Sequence, residues 1–159
     1  MEETQQAATA SPAANRRTEP ALTVTRSYPA SLERVYGAFA KQEHLAQWFG
    51  PKGSTIDNCD WKPEAGRAWR LTIVHDDGFE AHVGGVFREV LPRERLVLTW
   101  IWENTDYAGL ETLLTFAFEA LGDMTRVTIT HEWLPDDLAR ERHNKGWTSS
   151  LESLADRLG

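Results

Sequence analysis

Apolar side chains recur at every second position through most of the middle of this chain, and that period is the mark of half-buried strands. The clearest runs set Trp69, Leu71, Ile73 and His75 on one face, then Leu96, Leu98, Trp100 and Trp102, then Leu114, Phe116 and Phe118, then Val127, Ile129, His131 and Trp133. The opposite faces carry Arg70, Thr72, Thr115, Arg126 and Thr128. Seven strands are predicted: Leu22–Tyr28, Ser54–Trp61, Arg67–His75, Phe79–Val90, Arg95–Trp102, Glu111–Glu119 and Met124–Trp133. Turn chemistry separates them at Pro63–Gly66, Asp76–Gly78, Leu91–Arg93 and Leu121–Asp123, as consecutive antiparallel hairpins require. Gly84–Gly85 inside the fourth strand predicts a bulge or a sharp bend where the sheet curls.

Elsewhere the period changes to that of a helix. Leu32, Val35, Tyr36 and Phe39 share a face behind a capping Ser31, and a second short helix is expected from Gln42 to Phe49, stopped by Gly50–Pro51. The longest helical pattern runs from Pro135 to Leu158, with Trp147, Leu151, Leu154 and Leu158 on one stripe. Asp136 or Asp137 can cap its start, and Gly159 stands where it would end. A long amphipathic helix that follows a run of antiparallel strands buries its stripe against the sheet's apolar face. The expected class is therefore α+β: a curved antiparallel sheet of about seven strands, two short helices, and a long C-terminal helix packed across the sheet. Residues 1–20 lack apolar periodicity and read as a disordered tail, which leaves 21–159 as one domain.

Composition narrows the function classes. A net charge of −7 argues against nucleic acid or anionic membrane as a partner, because both demand a basic face. No apolar run approaches the roughly 18 residues of a membrane span, and no signal-peptide pattern follows the acidic start. The single cysteine, Cys59, excludes an intrachain disulfide and fits a cytoplasmic location.

The order of elements resembles the helix-grip, birch-pollen-allergen-like fold of the START/SRPBCC superfamily. Within it, the chain is similar to the group related to the C-terminal domain of activators of the 90-kDa heat-shock-protein ATPase. The resemblance is carried by Arg26–Ala30 leading into Val35–Tyr36, by Ala46–Pro51, by Pro63–Arg70, and by Gly85–Val90. Further on it is carried by Arg95–Trp100, Thr125–His131, and Gly146–Trp147 before the last leucines. It implies a cavity between sheet and C-terminal helix. The superfamily includes lipid carriers, polyketide aromatase/cyclases, antibiotic self-protection proteins and co-chaperone domains, so the fold does not choose among them.

Candidate chemistry centres on aromatics and imidazoles. Seven tryptophans is a high count, and Trp69, Trp100, Trp102 and Trp147 are all expected to point inward. Each alone reads as core packing; together they favour a slot for a flat ligand, with Phe116 among its apolar walls. The resemblance implies that Trp48, Phe49 and Pro51 form one wall of its mouth. His75, His131 and His143 fall in phase with the inward residues. Either all three converge as a polar spot that orients a ligand, relays protons or in principle holds a metal, or His75 and His131 sit near strand ends, satisfied by water or a backbone carbonyl. Asp76, Asp77, Glu80, Glu103, Asp106 and Glu111 read as solvated turns and strand ends. No paired-ligand spacing for a metal, nucleophile elbow or phosphate loop is present, so no catalytic residue, metal or cofactor is expected. The leading expectation is a non-enzymatic protein, monomer or homodimer, that binds a small hydrophobic or aromatic molecule for carriage, sequestration or self-protection. The expected ligand-binding residues are Trp48, Trp69, His75, Trp100, Trp102, Phe116, His131, His143 and Trp147. An aromatase/cyclase-like enzyme comes second, and a chaperone-stimulating or other interaction module third.

Overall fold

A computed structural model describes residues 21–158, so the expected tail and the expected helix stop at Gly159 lie outside the described residues. The chain runs β1 (Leu22–Tyr28), α1 (Leu32–Ala40), α2 (Gln42–Leu45), β2 (Thr55–Asp60), β3 (Ala68–Val74), β4 (Glu80–Leu91), β5 (Arg95–Trp102), β6 (Thr112–Leu121), β7 (Met124–Glu132) and α3 (Asp137–Leu158). The strands form one seven-stranded antiparallel sheet in the order β1-β7-β6-β5-β4-β3-β2. Hairpins link neighbours from β2 to β7, while β1 adds to the far edge beside β7. This is the expected helix-grip architecture, and strand bounds agree with the sequence pattern to within two residues.

The apolar stripes do what their periods require. Leu71, Phe87, Leu98, Leu114, Phe116, Val127 and Ile129 from the sheet are buried, and so are Trp147, Leu151, Leu154 and Leu158 of α3. The Asp136 carboxylate accepts from the Ala139 N–H at 2.8 Å and caps α3; the Ser31 hydroxyl accepts from the Arg34 N–H at 3.2 Å and caps α1. Tyr28 of β1 donates its hydroxyl to the Leu151 carbonyl at 2.7 Å, which pins the helix to the sheet edge.

Two local expectations are corrected. The second helix stops at Leu45, and the chain continues through turns to Gly50, whose φ of 92° ends it. Trp133 does not extend the inward set of β7. Its φ of 66° breaks the alternation, leaving Trp133 half-buried and giving the buried place to Leu134.

Gly84 and Gly85 mark close backbone approach. A methyl group on Gly85 would lie 2.1 Å from the Thr99 carbonyl oxygen, and one on Gly84 would lie 2.8 Å from that of Trp69. Between the paired positions Gly84↔Ile101 and Phe87↔Leu98, the Thr99 hydroxyl accepts from the Val86 N–H at 2.8 Å. The register shift itself falls later, between Phe87 and Glu89.

Candidate functional site

The cavity lies where the far ends of β3, β4 and β5 meet the middle of α3. Its volume is about 240 Å³. The buried wall is Phe49, Ile73, Trp100 and Trp147; toward solvent the lining passes to half-buried His75, Trp102 and Tyr107, and then to exposed Phe79 and Arg142. The space exists because α3 presents small residues there. Ser150 follows Gly146 by one turn, and a methyl group added at Gly146 would meet no other heavy atom within 4 Å.

The walls are aromatic and mutually braced. Trp100 packs edge-on to Trp102 with ring centroids 5.3 Å apart and to Trp147 at 5.1 Å, and Phe49 packs on Trp147 at 5.5 Å. Such edge-on geometry is favoured by ring quadrupoles, and it leaves angular space between rings.

Beneath and beside this wall stand two imidazoles whose ring centroids are 4.9 Å apart. The Trp147 indole N–H donates to His131 Nδ1 at 3.1 Å, so that nitrogen carries the lone pair. The proton of neutral His131 is then on Nε2, which donates to the Thr112 hydroxyl at 2.8 Å; that hydroxyl donates onward to the Trp100 carbonyl at 2.7 Å. By the same reasoning, the Trp102 N–H donates to His143 Nε2 at 2.9 Å, and His143 Nδ1–H donates to the Ala139 carbonyl at 2.7 Å. Burial holds the pKa of His131 well below its ordinary value, and the neighbouring His143 lowers it further. Burial also lowers that of His143, opposed in part by its bond to Ala139. All four imidazole nitrogens are engaged inside the protein.

Five expected site residues come together around the cavity: His75, Trp100, Trp102, His143 and Trp147. Four do not line it. Trp48 is buried behind Phe49 and donates its N–H to the Ala38 carbonyl at 3.0 Å. Trp69 packs in a neighbouring cluster with Trp61 and donates to the Thr99 carbonyl at 3.1 Å. Phe116 lies under Phe39 and Trp147, and fully buried His131 stands behind Trp147. Alternation assigns Trp69, Phe116 and His131 to the correct face, but not to the correct end of it; Trp48 owes its expected place to its position at the end of the second helix.

Phe49 and Pro51, expected at the mouth, do line the cavity, whereas the pattern left out Tyr107, Arg142, Gly146 and Ser150 as lining residues. Helical spacing offered a signal for three of them, since Arg142, Gly146 and Ser150 recur at intervals of four beside His143 and Trp147. Tyr107 sits in a loop with no period to reveal it. It packs on His143 with centroids 5.5 Å apart, while Arg142 holds both the Asp106 carboxylate and the Tyr107 hydroxyl at 3.3 Å.

Among the described residues, no three His, Cys, Asp or Glu side chains converge as a metal site, and no carboxylate lines the cavity. No helix of the described residues is long and apolar enough to cross a membrane. Burial pushes the half-buried Cys59 thiol up to about 11, far from the range of a reactive thiolate.

Residues 29–159 match the family model described as Activator of Hsp90 ATPase homolog 1-like protein. Among solved structures, the AHSA1 protein of Silicibacter pomeroyi is 30% identical over 87% of this chain and 97% of its own, with a TM-score of 0.80. A protein of Chromobacterium violaceum is 28% identical over 87% and 96%, with a TM-score of 0.77. DynU16, from the dynemicin biosynthetic locus, shares the fold at 22% identity and a TM-score of 0.71, over 87% of this chain and 46% of its own. No curated protein matches the sequence.

Proposed function

The chain belongs to the family of Activator of Hsp90 ATPase homolog 1-like proteins, and from that premise we propose that it binds a small hydrophobic or aromatic molecule without transforming it. The observation that carries this reading is the cavity of about 240 Å³ walled by Phe49, Trp100, Trp102 and Trp147. An apolar cavity of roughly 150 Å³ is enough to hold benzene, so this one suits one or two fused rings, with larger ligands extending through the mouth. Carriage, sequestration and self-protection all use such a site in the same way. The molecule's chemistry and its fate are separate questions.

An aromatase/cyclase-like role needs an imidazole free to move a proton, paired with a carboxylate. Here His131 and His143 hold their tautomers through bonds to Trp147, Trp102, Thr112 and Ala139, no carboxylate lines the cavity, and Asp106 is tied to Arg142 at its mouth. That arrangement supports binding over catalysis.

Tryptophan fluorescence, titrated with aromatic compounds of one to four rings, fatty acids and polyketides, tests the reading. Saturable change at micromolar one- or two-ring ligand is expected, and Trp147→Phe should alter its amplitude or midpoint. No response to any class would remove the support for binding in the cavity.

A further inference from the structure

Most polar side-chain atoms on the buried lining of the cavity are already engaged, and the Ser150 oxygen is an exception. The Trp147 N–H donates to His131, and both nitrogens of His143 are bonded within the protein. The Ser150 hydroxyl spends its proton on the Gly146 carbonyl at 2.9 Å, a backward bond of one helical turn. A hydroxyl oxygen also carries two acceptor lone pairs, and no group among the described residues donates to this one. Ser150 is buried, with 2% of its surface exposed, and it lines the cavity. Gly146, one turn earlier on the same lining, has no side chain to screen it, and the place where one would stand is open.

We infer that Ser150 selects the ligand: the cavity takes planar arenes of one or two rings that bear a hydroxyl, and that hydroxyl donates its proton to Ser150 Oγ. This rests on the binding role proposed above and names the ligand class and the residue that reads it. A donor leaves the bond to Gly146 in place, whereas a ligand with acceptors alone would have to break it. Between the apolar walls of Phe49, Trp100 and Trp147, a hydroxyl without such a partner would be buried unpaired, and that is costly. The Trp100 N–H is also without a partner among the described residues, but with less than 1 Å² exposed it is enclosed by its neighbours, so Ser150 carries the polar contact.

Isothermal titration calorimetry of the unaltered protein and of Ser150→Ala, with 2-naphthol, 2-methoxynaphthalene and 2-methylnaphthalene, tests it. The three share a ring system, and only the first has a proton to donate. Alanine suits a helix interior, so the variant is expected to fold. Ser150→Ala should weaken 2-naphthol about tenfold, from one buried hydroxyl left unpaired, and leave the other two within about twofold. An unchanged affinity for 2-naphthol puts its hydroxyl elsewhere and overturns the role of Ser150 while leaving the binding role intact. An equal loss for all three ligands does the same, because it reports cavity shape. A loss shared by 2-naphthol and 2-methoxynaphthalene alone overturns the direction of the bond, since Ser150 would then be the donor. If none of the three binds the unaltered protein, the binding role fails and that of Ser150 falls with it. Should the variant not fold, the unaltered protein decides: 2-naphthol is expected to bind more tightly than 2-methoxynaphthalene, and the reverse order overturns the selection.

Discussion

Five of the seven tryptophans divide into two groups that differ in what receives their N–H. Trp48, Trp61 and Trp69 donate to backbone carbonyls, those of Ala38, Phe39 and Thr99 at 3.0, 2.7 and 3.1 Å. Trp102 and Trp147 donate to imidazole nitrogens. A carbonyl accepts at any pH, whereas an imidazole accepts only while neutral. The same residue type therefore builds a fixed end of the core around Trp61, Trp69 and Phe87, and an acid-sensitive end beside the cavity. What separates the fixed end from the cavity end here is the acceptor and not the aromatic residue.

The largest effect that would test this division is at the fixed end. Trp61→Ala removes a fully buried ring wedged between Trp69 and Phe87, and should cost about 3–5 kcal/mol in chemical denaturation at every pH. Gly85→Ala belongs to the same end, because its methyl group would displace the Thr99 carbonyl that receives the Trp69 N–H. A loss of about 1–3 kcal/mol is expected, without loss of ligand response. At the other end, His131→Leu leaves the buried Trp147 N–H and the Thr112 hydroxyl short of a partner and should cost about 1–3 kcal/mol. Unlike the first two, it should also flatten the acid limb of the stability curve.

That limb is itself a prediction with a definite sign. Both imidazoles bind protons less readily folded than unfolded, so the unfolded chain takes up more protons near pH 6. Their contribution is present in full above the ordinary histidine pKa of about 6.5 and is lost as pH falls below it. Urea midpoints measured from pH 8 to pH 5 should fall across that window, and midpoints that stay level would count against the assigned tautomers. The smallest effect is at Gly146, where α3 has room for a side chain. Gly146→Ala should stabilise the helix by about 0.5–1 kcal/mol and narrow the cavity, so that two-ring ligands weaken before one-ring ligands do.

Most of the fold was legible because periods of two and of 3.6 residues are written in single side chains. The stripe Trp147–Leu151–Leu154–Leu158, the cap at Asp136 and the inward sets of β3, β5 and β6 all follow from them. Position along a strand is less legible. Trp69 and Trp100 share a face and their ring centroids are 5.4 Å apart, yet only Trp100 reaches the cavity, a difference that alternation cannot express. Tyr107 lies in a loop, and its place against His143 depends on the loop's return to the sheet, where the Gly109 N–H donates to the Trp102 carbonyl at 2.9 Å. Trp133 carried the right residue type at the right period, and a positive φ put it elsewhere.

The strand order carries a consequence for biosynthesis. Of the described strands β1 leaves the ribosome first and its partner β7 last, with Leu22 paired to His131 across more than a hundred residues. Until β7 arrives, β1 has no ladder to join, and until α3 follows, neither the bond from Tyr28 to Leu151 nor the cavity exists. Closure thus waits on the last of the described elements, and long-range pairing of this kind folds slowly. A nascent chain halted before α3 has a sheet with an uncovered apolar face and no cavity.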